Sequence, residues 1–374
     1  MTLTRSLPAR LAASIPAMNG PRRLLLAGLV AILVILVIRE LAAIVVVPRF
    51  AVDLEIPLRA AGRWLAGEPP YLADAFTEPA GATLPFLYPP FTLPLLAPLT
   101  WLPRALVDVV TMTALLVAAV MACRRLSIPW LWLPLFVAWP PFSEGLVTGN
   151  VQIALFTAFV YLFFTPGGSP WRARPRDIGD PTTSGAMVGG LATIVGAIKV
   201  SQPHAWVYAL RYRPRAAVAG LLVAALVTGA TLTVTGISPW SDWIDQLRLA
   251  SDPAWEIGGI ALSRYLPPGV GLVIAIVCLA IVPFVPWRSA GAWIGLLSVV
   301  GALSLHTFGL LFLLPAMLLI RREIALVVAI LITTYTLEGT WAAILICSIA
   351  FAASSRWPSL LEPIQGASTP GSRG

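Results

Sequence analysis

The sequence predicts an all-α polytopic membrane protein, and three observations carry that prediction. Hydrophobic residues make up 58% of the 374 residues and charged ones only 11%, with a mean hydropathy of +0.86. Apolar runs close to the ~20 residues that cross a bilayer as a helix recur along the chain. Arginine clusters punctuate the runs, as in WRARPRD (171–177) and RYRPR (211–215). A transmembrane barrel would instead alternate polar and apolar residues over segments of about ten, a pattern this chain lacks.

The same observations exclude other classes. The formal charge of +8 sits mostly in short clusters between apolar runs, which orients a membrane protein and gives no reason to expect a nucleic-acid partner. Cys123, Cys278 and Cys347 lie in or beside apolar runs without CxxC spacing, so neither a disulfide framework nor a zinc site is indicated. His204 and His306 are the only histidines and form no HxxH or HxxE pattern. No metal or other cofactor is expected.

Taken in order, Arg5, Arg10, Arg22 and Arg23 precede a first apolar run at about 24–48. That run is too long for a signal-peptide core and has no small-residue cleavage site, so it reads as an uncleaved anchor. Positive flanks stay in the cytoplasm, which puts 1–23 inside and 49–84 outside. IPLRAAGRWLAGEPPY in that external loop mixes apolar and basic residues as an interfacial helix does. LPFLYPPFTLPLLAPLTWLP follows, with prolines at 85, 89, 90, 94, 98 and 103. Proline breaks helices, so this segment is expected to be broken, partly inserted and returned to the outside.

Residues 105–122 then cross inward to Arg124 and Arg125, 126–142 cross outward to PPFSEGLVTGN, and 149–166 cross back to WRARPRD. Residues 184–210 are too long for one span if RYRPR is also inside, and fit two half-depth helices meeting at KVSQP. Residues 216–236 lead to a second external loop at 237–268, and 269–286 return to Arg288. Residues 290–305 go out to His306, 307–320 come back to Arg321 and Arg322, and a hairpin at 324–353 turns near Glu338. The expected domain is therefore 24–354, with about ten transmembrane helices and two external loops bearing interfacial helices, followed by a cytoplasmic polar tail at 355–374. Making 86–101 a full span would put Arg124, Arg125 and RARPR outside, against the charge rule.

This topology gathers Asp53, Glu55, Tyr88, Glu144, Asn150, Gln152, Lys199, Gln202, His204, His306 and Glu338 towards the outer face. An acid after a non-cytoplasmic span end is ordinarily just solvated. In low-dielectric surroundings, however, a carboxylate gains proton affinity and can act as a general base, which singles out Asp53 with Glu55 two residues on. Lys199 is the only lysine beside 24 arginines. Its bland role is snorkelling at a helix end; its functional one is a point charge for a phosphate. A lone His on an apolar helix is more often a packing residue than a catalyst, and Arg39–Glu40 fits a structural ion pair. The Trp-rich loop SPWSDWIDQLRLASDPAWEIGGIALSRYLPP fits an interfacial helix, or a lid carrying Arg248 and Arg264 to an anionic ligand.

Four segments, in this order, resemble the C-type (GT-C) superfamily of membrane glycosyltransferases and most closely glycosyltransferase family 87. They are VDLEIPLRAAGRWLAGEPPY, FLYPPFTLPLLAPLTWLP, GLVTGNVQIALF and GGLATIVGAIKVSQP. The likeness covers about 24–215, and 215–320 more weakly. It implies a GT-C-like helical bundle, a polyprenyl-phosphate sugar donor (mannose or arabinofuranose), a glycolipid or glycan acceptor, inverting transfer on the outer face, and Asp53 as base. Glu55, Tyr88, Glu144, Asn150, Gln152, Lys199, Gln202, His204, Arg264 and His306 are the residues expected to line the substrates. Where the family reads Gly-Gln-x-Asn this chain has Gly149-Asn150-Val151-Gln152, which exchanges the two polar positions. The second loop lacks the family's Asn/Ser-rich stretch. A transporter or flippase of a lipid-linked saccharide also accommodates a broken helix and a lone lysine, but would distribute polar groups to both faces. A cysteine at position 174 should react with an impermeant thiol reagent only after the membrane is permeabilised; labelling of intact cells would invert the topology.

Overall fold

The computed structural model describes residues 20–46, 50–72, 85–167, 169–171, 173–198, 203–250, 259–267 and 269–356. The chain is helical almost throughout. In order run α1 (Gly20–Val46), α2 (Val52–Leu65), α3 (Thr92–Leu96), α4 (Arg104–Arg125), α5 (Leu133–Ala138), α6 (Pro140–Thr148) and α7 (Gln152–Phe163). A two-residue hairpin of β1 (Phe164–Thr165) and β2 (Arg174–Pro175) follows. Then come α8 (Gly185–Ile198), α9 (His204–Tyr212), α10 (Pro214–Thr235), α11 (Ser238–Ala250), α12 (Val270–Ile281), α13 (Ala290–Val300), α14 (Leu314–Met317), α15 (Arg322–Thr333) and α16 (Leu337–Arg356).

Among the described residues four helices are long and apolar enough to cross a membrane: residues Gly20–Ala43 of α1, all of α4 and α10, and Leu337–Ser354 of α16. The other apolar helices are shorter pieces, so the expected ten or so spans do not take the form of ten uniform helices. Proline explains much of this. The Tyr-Pro-Pro segment is non-helical over 85–91 and continues only as α3 and a 3-10 turn at Ala97–Trp101, as its prolines require. PPFSEGLVTGN, where the chain was expected to reach the outside, is helical over Pro140–Thr148. Its two prolines stand at the first turn of α6, where a missing N–H costs nothing, and they separate α6 from α5.

Contacts between helix ends sort the bundle into two ends. At one, Arg22 at the start of α1 pairs with Glu323 at the start of α15. There too Arg125, closing α4, donates to the Phe164 carbonyl after α7 (2.7 Å), and Arg213, before α10, to the carbonyls of Asp180 and Thr183 (both 2.7 Å). At the other end Ala51 N–H meets the Val147 carbonyl (2.7 Å) and Ile260 N–H the Leu305 carbonyl (2.7 Å). The first end collects the arginines at 22–23, 124–125, 174, 176, 211, 213, 215, 288 and 321–322. α8 and α9 pack against each other as a hairpin whose outer ends, Gly185 and Tyr212, belong to it; residues 199–202 lie outside the described residues.

The core surrounds α7, buried on nearly every side. Phe142, Phe156, Phe312 and Phe159 stack edge to face in succession, with centroids 5.9, 5.6 and 5.0 Å apart. Outer faces of α1 and α10 are instead apolar and open, Leu24 being 76% and Leu226 73% exposed. Such faces belong against lipid. α8 and α10 cross at small residues: a Cβ on Gly189 would collide with the Ala216 carbonyl oxygen, and one on Gly220 would lie 2.6 Å from the Gly189 oxygen. Without a hydrophobic drive between helices in lipid, this close backbone approach is what holds the pair.

Gly189→Val should therefore cost about 1–3 kcal/mol, the usual penalty of overpacking, read as a lower Tm in detergent. Gly190→Val, one residue along with nothing within 4 Å, should leave Tm unchanged.

Candidate active site

Asp53 stands in the first turn of α2, together with Glu55. Carboxylates are favoured there by the helix dipole. The helix starts at Val52, four residues before the expected interfacial segment, so this is not an extended loop start. It is amphipathic: Leu54, Pro57, Leu58, Ala60 and Ala61 are buried, while Glu55 pairs with Arg59 one turn on at the surface. Residues two apart on a helix differ by ~200° in direction. Glu55 therefore faces away from Asp53 and is occupied by Arg59.

The seat of Asp53 is built from three elements. Ala51, the residue before α2, is fully buried and left-handed (φ 55°, ψ 22°), a conformation that for a residue with a Cβ persists only where surroundings over-determine it. Here its N–H is bound by Val147 of α6, and its carbonyl accepts from Arg104 Nη2 of α4 (3.3 Å). α6 ends in a Schellman turn: Gly149 is left-handed (φ 76°), and Asn150 N–H reaches back to the Gly145 carbonyl (2.8 Å). The turn lies directly on α2, since a Cβ on Gly149 would be 3.0 Å from Leu54 Cβ.

Asn150 leaves that turn facing Asp53. Its Nδ2 donates to Asp53 Oδ2 (2.9 Å), and its Oδ1 accepts from the backbone N–H of Gln152 (2.8 Å). Of the expected site residues these are brought together directly, Gln152 through its backbone with its side chain fully buried.

Tyr88 joins them from the Tyr-Pro-Pro segment. Burial, and then the negative charge of Asp53, push its phenol well above the usual range, so it stays a hydrogen-bond donor at any working pH. The segment is braced from both loop regions: Tyr71 donates to the Tyr88 carbonyl (2.7 Å), and Trp243 of α11 to the Leu87 carbonyl (3.0 Å). Tyr71 and Phe86 stack with centroids 5.1 Å apart. Ala51, Tyr71, Arg104 and Trp243 were not among the expected site residues. Tyr71 and Trp243 were visible as the end of GEPPY and as part of the Trp-rich loop, but nothing local marks Ala51 as left-handed.

A second cluster forms at the same end. Arg264 Nη1 donates to the Gly259 carbonyl (3.1 Å) and its guanidinium lies over Tyr265. Gly259 pairs with Leu305 in a parallel bridge, beside His306, which stacks on Phe308 (5.4 Å). Phe308 packs at Gly145 of α6, so α6 is the strut shared by both clusters. Glu144, on the same helix, receives the Tyr335 hydroxyl at 3.5 Å. Arg248 pairs with Asp245 at the surface (2.8 Å), and Glu338 is exposed. His204, first in α9, is buried, and neither ring nitrogen has a hydrogen-bond partner among the described residues. Lys199 and Gln202 lie outside the described residues.

Gly149→Ala should lower stability by about 1–2 kcal/mol from the left-handed backbone alone, measured as a fall in Tm, with a parallel loss of activity because the same turn carries Asn150. An unchanged Tm would mean that the turn is not held on α2.

Residues 86–288 match the family profile of Glycosyltransferase family 87. No curated protein and no solved structure matches the chain. The matched stretch contains Tyr88, Glu144, Asn150, Gln152 and Arg264, and begins after the helix that carries Asp53. It spans more than half of the 374 residues. A helical bundle with bilayer-length apolar helices, polar residues gathered at one end and this match agree with one another: the chain belongs to glycosyltransferase family 87 and is a membrane glycosyltransferase.

Proposed function

We propose that the protein transfers a mannose- or arabinofuranose-like sugar from a polyprenyl-phosphate donor to a hydroxyl of a glycolipid or glycan acceptor, with inversion, at the non-cytoplasmic face of the cell membrane. Asp53 is the general base. The observation that carries this reading is the contact between Asp53 and Asn150: one carboxylate oxygen is fixed at 2.9 Å, and Oδ1 has no hydrogen-bond donor among the described residues. That oxygen is available to an incoming hydroxyl.

A sugar phosphodiester already contains a good leaving group. The acceptor oxygen attacks the anomeric carbon in line as Asp53 takes its proton, and the C–O bond to phosphate breaks with its electron pair leaving on the phosphate. Such a step asks the protein for orientation and for one base. Tyr88, kept protonated, is a donor for a sugar or phosphate oxygen. Lys199 is assigned the departing phosphate as a point charge, on its place in the sequence between α8 and α9.

Two further features support the reading. A groove of about 1090 Å³ runs along the α8–α10 crossing, lined mostly by small and apolar residues, with Arg213 and Arg215 at the arginine-rich end and Phe91, three residues beyond Tyr88, also on its wall; its apolar stretch suits a prenyl chain. Arginines gather at the end opposite Asp53, the end that the positive-inside rule assigns to the cytoplasm.

Membranes containing the protein, incubated with radiolabelled polyprenyl-phospho-mannose and polyprenyl-phospho-arabinose, should transfer label from one of the two. Asp53→Asn keeps size and the Asn150 contact but cannot accept a proton. Its rate should fall about 10²–10⁴-fold with the amount of inserted protein unchanged. A loss of only a few-fold would remove Asp53 from the base role, and no transfer from either donor would overturn the donor assignment.

A further inference from the structure

We propose that Asn150 is a positioning residue that aims the Asp53 carboxylate, and not a group that binds substrate; this rests on the reading of Asp53 as the base. Three observations support it. The amide cannot be turned over, because Oδ1 already accepts the Gln152 N–H at 2.8 Å. Reversed, it would set an N–H₂ against that N–H and an oxygen against the carboxylate. The backbone thus dictates that Nδ2 faces Asp53 (2.9 Å). Asn150 is only 7% exposed, and both ends of its amide are already bonded within the protein. Finally, its own backbone is locked by the Gly149 turn against Leu54.

By holding Oδ2, the Asn150 amide orients the carboxylate and leaves Oδ1 as the oxygen with no donor among the described residues. Other charged and titratable groups on the surrounding elements are otherwise engaged: Glu55 with Arg59 on α2, Arg104 with Asp108 on α4, and Glu144 with Tyr335 on α6. Tyr88 is the group that feels the charge of Asp53. Asn150 is therefore the contact through which the protein fixes the direction of this carboxylate without adding a charge.

The test uses Asn150→Ala and Asn150→Asp in the full chain. With the polyprenyl-phospho-sugar that the wild type uses, both should lower kcat about 10- to 100-fold, the scale of a misplaced reacting group, with KM for the donor within about threefold of wild type. Asn150→Asp places a like charge beside Asp53 and should move the acid limb of the pH–rate profile upward by about one unit or more, Asn150→Ala by less. A donor-free measurement runs beside it: the Asp53 carboxyl stretch, assigned in infrared difference spectra by its loss in Asp53→Asn, is titrated in each variant, and its midpoint should rise in the same order. A raised donor KM with unchanged kcat would make Asn150 a substrate ligand and overturn the proposal, as would an infrared midpoint that does not move. If the wild type transfers from neither donor, the activity reading fails by itself while the infrared titration still decides the role of Asn150.

Discussion

The candidate active site depends on one packing event, the docking of the turn that ends α6 onto the first turn of α2. The turn brings a backbone against Leu54, where a Cβ at Gly149 would be a tight 3.0 Å from the Leu54 Cβ, and in doing so buries the peptide groups on both sides of Ala51. Buried peptide groups must find partners. The Val147 carbonyl and the Arg104 guanidinium provide them, and those two bonds hold Ala51 in a conformation that costs ~1–2 kcal/mol for a residue with a side chain. A helix so pinned at its first residue has little freedom in direction. The same contact that makes α6 and α2 adhere thereby aims Asp53 at Asn150.

Membrane physics explains why the surrounding helices are broken where they are. An unpaired peptide group facing lipid costs several kcal/mol, so irregular backbone at membrane depth survives only inside protein or beside water. The long helices α1, α4, α10 and α16 have open apolar faces, as does the shorter α12. Interrupted pieces lie further in: the Pro140–Pro141 break joins α5 to the buried α6, and the 3-10 stretch at Thr307–Leu313 is buried against α6 and α7. Breaks near the Asp53 end let chain segments stop part-way and present turn residues to one place. The α8–α9 hairpin, whose outer ends lie at the arginine-rich end, uses the same freedom.

How far the sequence could be read follows from what each feature depends on. Hydropathy and proline spacing are local, so the membrane class, the broken Tyr-Pro-Pro segment and the two half-helices at 185–212 were legible. So was the segregation of arginine clusters from polar residues. The helix at Pro140–Thr148 was not legible, because proline at a first helical turn and proline in a loop look alike in sequence. Glu55 could not be told from Asp53 until a helix set them ~200° apart. The contact of Asn150 with Asp53 was not legible, because the distance from 150 to 53 is a property of the α6–α2 packing. Ala51 was illegible altogether, since its left-handed backbone is imposed by residues 53 and 96 positions away.

The family match adds a division of labour. Its residues begin at the Tyr-Pro-Pro segment and end after α12. Within them fall Asn150, Tyr88, Arg104, Trp243 and the α8–α10 groove. Asp53 enters from outside, on a helix that bonds to this frame at Val147, Arg104 and Asn150. That frame holds α2 along its length: Leu54 and Leu58 pack with Val107, and further on Ala60 packs with Phe86 and Leu93. In physical terms the placement of Asp53 is therefore specified by the receiving turn, which carries Asn150, as much as by the helix that bears the carboxylate.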